Sequence, residues 1–436
     1  MASASVVRIL LVEDRADWVH GHFAPLLRQM AEGFVAGGHE VTVLTALGLH
    51  VDDSARTAPS RWSVRRYGLV GRGLERLVRL PDRPPWNAPW RRRVRMVTVR
   101  LRSLLMLLET RRVARSLGDP ASVAVVVSSM SLYPQHVAVG APTRGHWVAF
   151  RHAPAPGDRG PADGVDETGA GVDSKGPAPG QGRAEAQPSS LFERLAAARA
   201  RSRTAHGGRL VIVGSYGALV ESWRRRVPWL DTGTVALPVE VASAPVERSV
   251  ARRRLGLPAD RRVALFFGSI HPGKDPDTVW ASWCLDPPPT TLLVAAGHGV
   301  RRHLDRWLAD HPDAHPEAVH VIDGGIDEAT KQLLFAAADV GILCFRSRPI
   351  GASATLCDFA AAGRPVCCSS GGDPAELTRA YGLGVVFDAS DPASLADAVS
   401  TVGTEPDPAG LARYLADFSP AQVAQDLLDL LFPTGV

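Results

Sequence analysis

The apolar positions of this chain fall into two successive series. Val7 to Val12 is a short branched apolar run, and Phe23 to Val35 carries apolar residues at helical spacing before Gly37-Gly38-His39-Glu40 leads into Val41 to Thr45. Strand, helix, glycine stop and strand make a βαβ opening, whose crossover helix requires its two strands to be parallel. Strand-like runs follow at Val123 to Val127, His146 to Phe150, Leu210 to Val213 and Thr234 to Leu237. The first half therefore predicts one doubly wound α/β domain.

The second series begins after an Arg- and Pro-bearing stretch near residues 247–260. Its strand-like runs are Val263 to Phe267, Thr291 to Ala295, Val319 to Ile322, Val340 to Cys344, Pro365 to Cys368 and Val385 to Phe387. Ala329 to Ala338 and Ala354 to Ala362 have helical composition between them. A second doubly wound sheet is expected, smaller and more regular than the first. With 436 residues, the chain suits two domains of about 200 residues each. The expected limits are 1–240 and 241–412, with a helical segment over 413–436 packing back on the first domain.

Composition changes this picture in three places. Residues 153–190 are rich in Pro, Gly, Asp and Ser with almost no large apolar side chains, so a mobile insertion is expected there. Arg61 to Ser116 holds sixteen arginines against Glu75, Asp82 and Glu109, while the whole chain is only +4. This basic arm also carries Trp62, Tyr67, Trp86 and Trp90. It admits a solvated helical face, or peripheral contact with an anionic membrane or phosphorylated lipid acceptor. No nucleic-acid recognition motif accompanies it, and no nucleic-acid partner is expected. Lysine is the third anomaly: of 49 basic residues only Lys175, Lys274 and Lys331 are lysine, so each retained lysine is informative.

The N-terminus lacks a basic region followed by a longer apolar stretch, and no apolar run approaches the roughly 20 residues that span a bilayer. The expectation is a cytoplasmic protein, peripheral at the inner membrane face if the arm binds lipid. The five cysteines show neither zinc-site spacing nor disulfide-scaffold density and read as buried thiols. Asp275-Pro276-Asp277 has the spacing of a metal-binding aspartate pair but stands at an expected helix start, where capping by the carboxylate is favoured. His20-Gly21-His22 has no further ligand nearby. No metal and no cofactor are expected.

Two segments carry candidate chemistry. Phe266-Phe267-Gly268-Ser269-Ile270-His271-Pro272-Gly273-Lys274 is a glycine-bearing turn directly after an apolar strand, with a lysine near the next helix. Glycines admit close backbone approach, a helix start offers unpaired N–H groups, and Lys274 adds a full charge, a combination suited to phosphate. An ordinary turn with a solvated lysine has the same pattern. Gly351-Ala352-Ser353-Ala354-Thr355 puts small residues at another helix start, and Asp358 follows where a carboxylate could accept from ribose hydroxyls. Both segments follow the C-terminal ends of strands of one sheet, the edge at which such folds bind ligands.

These segments, with Ala295-Ala296-Gly297-His298-Gly299, Gly371 to Glu376 and Gly382 to Phe387 in the same order, resemble the GT-B glycosyltransferases of the retaining family 4. The resemblance spans about 150 residues of the C-terminal half and implies two Rossmann-like domains facing across a cleft. The first would be the acceptor side, and the second would bind a nucleotide diphosphate sugar. It implies transfer of the sugar to an acceptor of unstated identity, with retention and no obligatory metal. Lys274 matches the family's diphosphate-binding lysine, and Gly268, Ser269, Gly351, Ser353, Ala354, Thr355 and Asp358 fall at donor-binding positions. Ser269 stands where the family has an arginine, and Ile350 where it has the first of two glutamates. His152, after the run His146 to Phe150, matches a histidine that faces the donor sugar in relatives; a structural histidine fits equally. The alternatives are a nucleotide-sugar epimerase of the same fold and a non-catalytic binding partner.

Overall fold

The structure, a computed structural model, describes residues 6–13, 23–45, 62–66, 106–119, 122–128, 134–151, 191–215, 217–241, 246–286, 288, 290–346 and 353–433. The insertion 153–190, most of the basic arm, His20 to His22, His152, Ile350 and Gly351 lie outside the described residues. The chain divides into two compact units, Met1–Ala236 with Pro420–Val436, and Leu237–Ser419.

In the first unit seven parallel strands are described: β1 (Arg8–Glu13), β2 (Glu40–Thr45), β3 (Trp62–Arg66), β4 (Val123–Val127), β5 (His146–Arg151), β6 (Arg209–Gly214) and β7 (Asp231–Thr234). Their order is β3-β2-β1-β4-β5-β6-β7. The order reverses between β1 and β4, as in a doubly wound sheet. β1, β2 and β4 are almost wholly buried, which explains why they read as continuous apolar runs instead of alternating ones. The last strand lies at Asp231–Thr234, not at the expected Thr234 to Leu237. At the sheet edge, pairing with Val211–Gly214 needs no apolar run. Val235 and Leu237 are buried just beyond it. The helix Pro420–Leu431 belongs to this unit, and Gly33 of the helix Phe23–Ala36 leaves no room for a Cβ against the Pro420 carbonyl.

The second unit has six parallel strands among the described residues: β8 (Arg262–Phe267), β9 (Thr291–Gly297), β10 (Val319–Asp323), β11 (Val340–Leu343), β12 (Val366–Ser369) and β13 (Gly384–Phe387). They lie in the order β10-β9-β8-β11-β12-β13. The period of two sends alternate side chains of β8 to opposite faces. Val263 and Leu265 pack with Phe335, Leu356 and Phe359 on one face, and Ala264 and Phe266 with Trp280, Trp283 and Trp307 on the other. Each large side chain so buried contributes about 1.5–3 kcal/mol. Gly341 on β11 has no space for a Cβ against the Phe359 ring, so the helix Ala354–Ala361 sits directly on the strand. That contact fixes the start of the helix at the C-terminal edge of the sheet.

Candidate functional site

The C-terminal edge of the second sheet is assembled from the loops after β8, β9, β11, β12 and β13. The turn after β8 departs through Gly268 at φ 102°, a conformation that favours glycine. Its amide donates to the Ala296 carbonyl at 2.8 Å, and the Ile270 amide to the His298 carbonyl at 3.1 Å. The β8 and β9 loops are thus sewn together so tightly that a Cβ at Gly297 would meet the Gly268 carbonyl. The Gly268 amide is engaged, and Ser269, His271 and Pro272 are the exposed part of this turn.

Lys274 is buried, 7% exposed. Its backbone makes an isolated antiparallel bridge with Phe345 beyond β11, while its Nζ donates to the Phe267 carbonyl and lies 4.8 Å from the centroid of the Phe266 ring. The ammonium is folded under the glycine turn. Burial pushes its pKa down to about 8, because a charge removed from water without a full counter-charge favours the neutral form. An anion at this turn would reverse that balance.

The next residue is a keystone of the same edge. Asp275 is 3% exposed and accepts from Thr278 Oγ1 at 3.0 Å and from Ser390 Oγ at 2.7 Å. It occupies the N-cap position with Pro276 in the first turn, but its carboxylate makes no bond to the helix amides; the two hydroxyls take that place. Ser390, beyond β13, is held at φ 61°, an uncommon conformation for a residue with a Cβ. Asp277 instead meets Arg346 Nη2 at 3.3 Å. The two aspartates have different partners, and among the described residues no group of three or more His, Cys, Asp or Glu is placed to hold a metal ion.

At the start of the helix Ala354–Ala361, Ser353 Oγ accepts from the Leu356 amide at 3.2 Å. This cap satisfies one of the first N–H groups and leaves those of Ala354 and Thr355 without a partner among the described residues. One turn further in, Asp358 Oδ1 accepts from Lys331 Nζ at 2.8 Å, both side chains about a quarter exposed. Burial raises the pKa of Asp358, and the Lys331 ammonium opposes the rise. Nothing around Lys331 in the sequence points to a role. Its rarity was the available signal, but the 27 positions to Asp358 form no motif. Two of the three lysines therefore stand in this edge, one under the β8 turn and one on the carboxylate of the β11 helix.

No protein-family model matches the chain. Among curated proteins it is similar to the D-inositol 3-phosphate glycosyltransferase of Thermomonospora curvata, 31% identical over 172 residues covering 36% of this chain and 38% of that one. The protein of the same name from Thermobispora bispora is 28% identical over 208 residues, 43% of this chain and 46% of that one. The chain thus spans less than half the length of these curated relatives. Among solved structures, the sucrose-phosphate synthase of Thermosynechococcus elongatus superposes with a TM-score of 0.58 at 16% identity, covering 98% of this chain and 95% of that one. A glycosyltransferase of Rickettsia africae gives 0.63 at 10% identity, covering 99% and 100%. The Anabaena HepE protein, solved with UDP-glucose, gives 0.58 at 13% identity, covering 98% and 99%. The fold is therefore the two-domain α/β fold of GT-B glycosyltransferases, and the curated relatives agree with the resemblance to family 4 that the C-terminal half carries.

Proposed function

We propose that the protein transfers a sugar from a nucleotide diphosphate sugar to an acceptor bound by its first unit, with Lys274 and the amides of Ala354 and Thr355 receiving the donor diphosphate. The buried Lys274 at the turn after β8, a cation without a full counter-charge, carries this reading. As the bond from sugar to diphosphate breaks, negative charge grows on the leaving oxygens. A cation and amides already fixed there stabilise the transition state more than the ground state. Asp358, oriented by Lys331, retains one carboxylate oxygen to accept from ribose hydroxyls. His152 would face the donor sugar, Gly351 and Ser269 would border the diphosphate, and the reaction would proceed with retention and without a required metal.

UDP-glucose is the first donor to test, since it is bound by a protein of the same fold. A panel of uridine, guanosine, adenosine and thymidine diphosphate sugars is expected to contain one that raises the melting temperature, with the shift reduced in Lys274→Ala. No shift with any donor rejects the transferase reading and favours a non-catalytic partner, which the serine at position 269 would suit. A donor that shifts the protein but is epimerised without an acceptor identifies the epimerase instead.

A further inference from the structure

The basic arm and the helix preceding β6 supply a group of arginines that the donor site does not use. The helical stretch 106–117 and the helices Pro134–Gly140 and Leu191–Ala205 run into β4, β5 and β6. Their C-terminal ends therefore gather at the N-terminal edge of the first sheet, away from the edge at which such sheets bind nucleotides. Arg203 is buried there, 1% exposed. Its Nε donates to the Pro142 carbonyl at 3.0 Å and its Nη2 to those of Ala138 at 3.1 Å and Ala141 at 2.9 Å. Arg199 Nη2 donates to the same Ala141 carbonyl at 3.4 Å.

Like charge accumulates around this pair. Burial lowers the pKa of Arg203 to about 10, with Arg199 adding to the effect. Burial lowers that of Arg111 as well, followed by Arg115 and Arg199. Glu109, on the same helical stretch, is engaged by Arg112 at 2.6 Å. The three helix ends supply only about half a negative charge each, less than the formal charge of Arg111, Arg115, Arg199 and Arg203 together. Three buried donors, Arg111 Nε, Arg199 Nε and Arg203 Nη1, have no hydrogen-bond partner among the described residues. Unsatisfied buried donors are rare and costly, more so on charged groups. Arg111 and Arg199 are half-buried, which gives the group a face toward solvent; the cleft of about 90 Å³ that Arg203 lines with Arg201, Thr204, Arg209, Trp229 and Asp231 is a separate feature.

We propose that Arg111, Arg199 and Arg203 form a phosphate-binding site at the N-terminal edge of the first sheet, separate from the donor site. Several acceptor oxygens on one small anion match clustered guanidinium N–H groups, and arginine is the residue best suited to that geometry. The phosphate belongs either to a free ion or ester, or to a lipid headgroup. The site does not depend on the transferase reading.

The test uses the full chain, with inorganic phosphate titrated at constant ionic strength while thermal unfolding is followed. A saturable rise in Tm is expected. Arg111→Gln and Arg199→Gln should each raise the half-saturating phosphate concentration about tenfold, the effect of losing one charge-assisted hydrogen bond. Lys274→Met should leave it unchanged, which separates this site from any phosphate bound at the donor turn. In parallel, sedimentation with phosphatidylcholine vesicles, with and without phosphatidylglycerol, reads out the lipid source. A phosphate-dependent shift weakened in both variants assigns a free phosphate. Retention on the anionic vesicles weakened in both variants, without a phosphate shift, assigns a headgroup. The proposal is overturned if the wild-type chain responds to neither probe, or if both variants respond as the wild type does; the arginines are then helix caps alone.

Discussion

Lys274 in the second unit and Arg203 in the first are both almost fully buried cations, and both send hydrogen bonds to backbone carbonyls, one for Lys274 and three for Arg203. They differ in what they can give up. The lysine, its pKa lowered to about 8, can shed its proton at mildly alkaline pH, and a single carbonyl and an aromatic face hold it. The guanidinium, lowered only to about 10, stays charged at neutral pH and must be met by fixed oxygens or by a bound anion. The cation that can be neutralised stands at the C-terminal edge of its sheet, the edge at which doubly wound folds bind ligands; the permanent one stands where three helix ends converge.

The sharpest way to break that comparison is pH. A folded-state pKa of about 8 for Lys274 lies below the unfolded lysine value of about 10.4. Below pH 8 the fold therefore carries the full cost of a buried charge, and the cost disappears as pH rises from 8 toward 10.5. Lys274→Met lacks this cost at every pH. Its stability relative to wild type should fall on going from pH 7 to pH 10.5 by on the order of 3 kcal/mol. The comparison between two proteins is needed because Cys284, Cys357, Cys367 and Cys368 have pKa values pushed up to about 11 or 12 by burial. Those thiols lower the stability of both proteins above pH 9. Urea midpoints at the two pH values give the difference; a constant gap would mean that the ammonium is solvated.

Arg203→Met should behave in the opposite sense. It strips the Ala138, Ala141 and Pro142 carbonyls of a charged donor and should destabilise the chain by about 2 kcal/mol, with no such trend between pH 7 and 9. The loss is smaller than three separate hydrogen bonds would give because repulsion from Arg199 is relieved with it. Urea unfolding measures the cost, and the donor-induced Tm shift should persist. A stabilised variant would show that repulsion outweighs the three carbonyl bonds.

The same contrast explains what could be read from sequence. Strands buried on both faces announce themselves as apolar runs, and β8, β9, β11 and β12 stand where those runs are. The edges did not. Trp62–Arg66 reads as part of a basic arm, yet it pairs with β2, helped by a contact of 3.2 Å between Thr42 Oγ1 and Ser63 Oγ. Lys274 was legible because a rare residue stood in a local glycine turn. Asp275 with Ser390, Lys331 with Asp358, and Arg203 with the Ala138 carbonyl are brought together by topology across 115, 27 and 65 positions. No spacing rule reaches that far, since each pair depends on which loops share a sheet edge.

The smallest effect concerns Lys331, a second lysine at the C-terminal edge of the second sheet that differs from Lys274 in having a carboxylate partner. Burial raises the pKa of Asp358 and Lys331 holds it back, so Lys331→Met should let the carboxyl take up its proton at a higher pH. A protonated Asp358 offers one acceptor fewer to a ribose hydroxyl. Donor affinity in this variant should therefore drop a few-fold, and the loss relative to the wild type should widen as pH is lowered from 7 to 6. Asp358→Asn removes the titrating group and should weaken the donor about tenfold at both values. Calorimetric titrations at pH 6 and 7 distinguish the two variants. Equal, pH-independent losses would mean that Lys331 touches the donor itself instead of acting through Asp358, and both lysines would then be direct anion ligands.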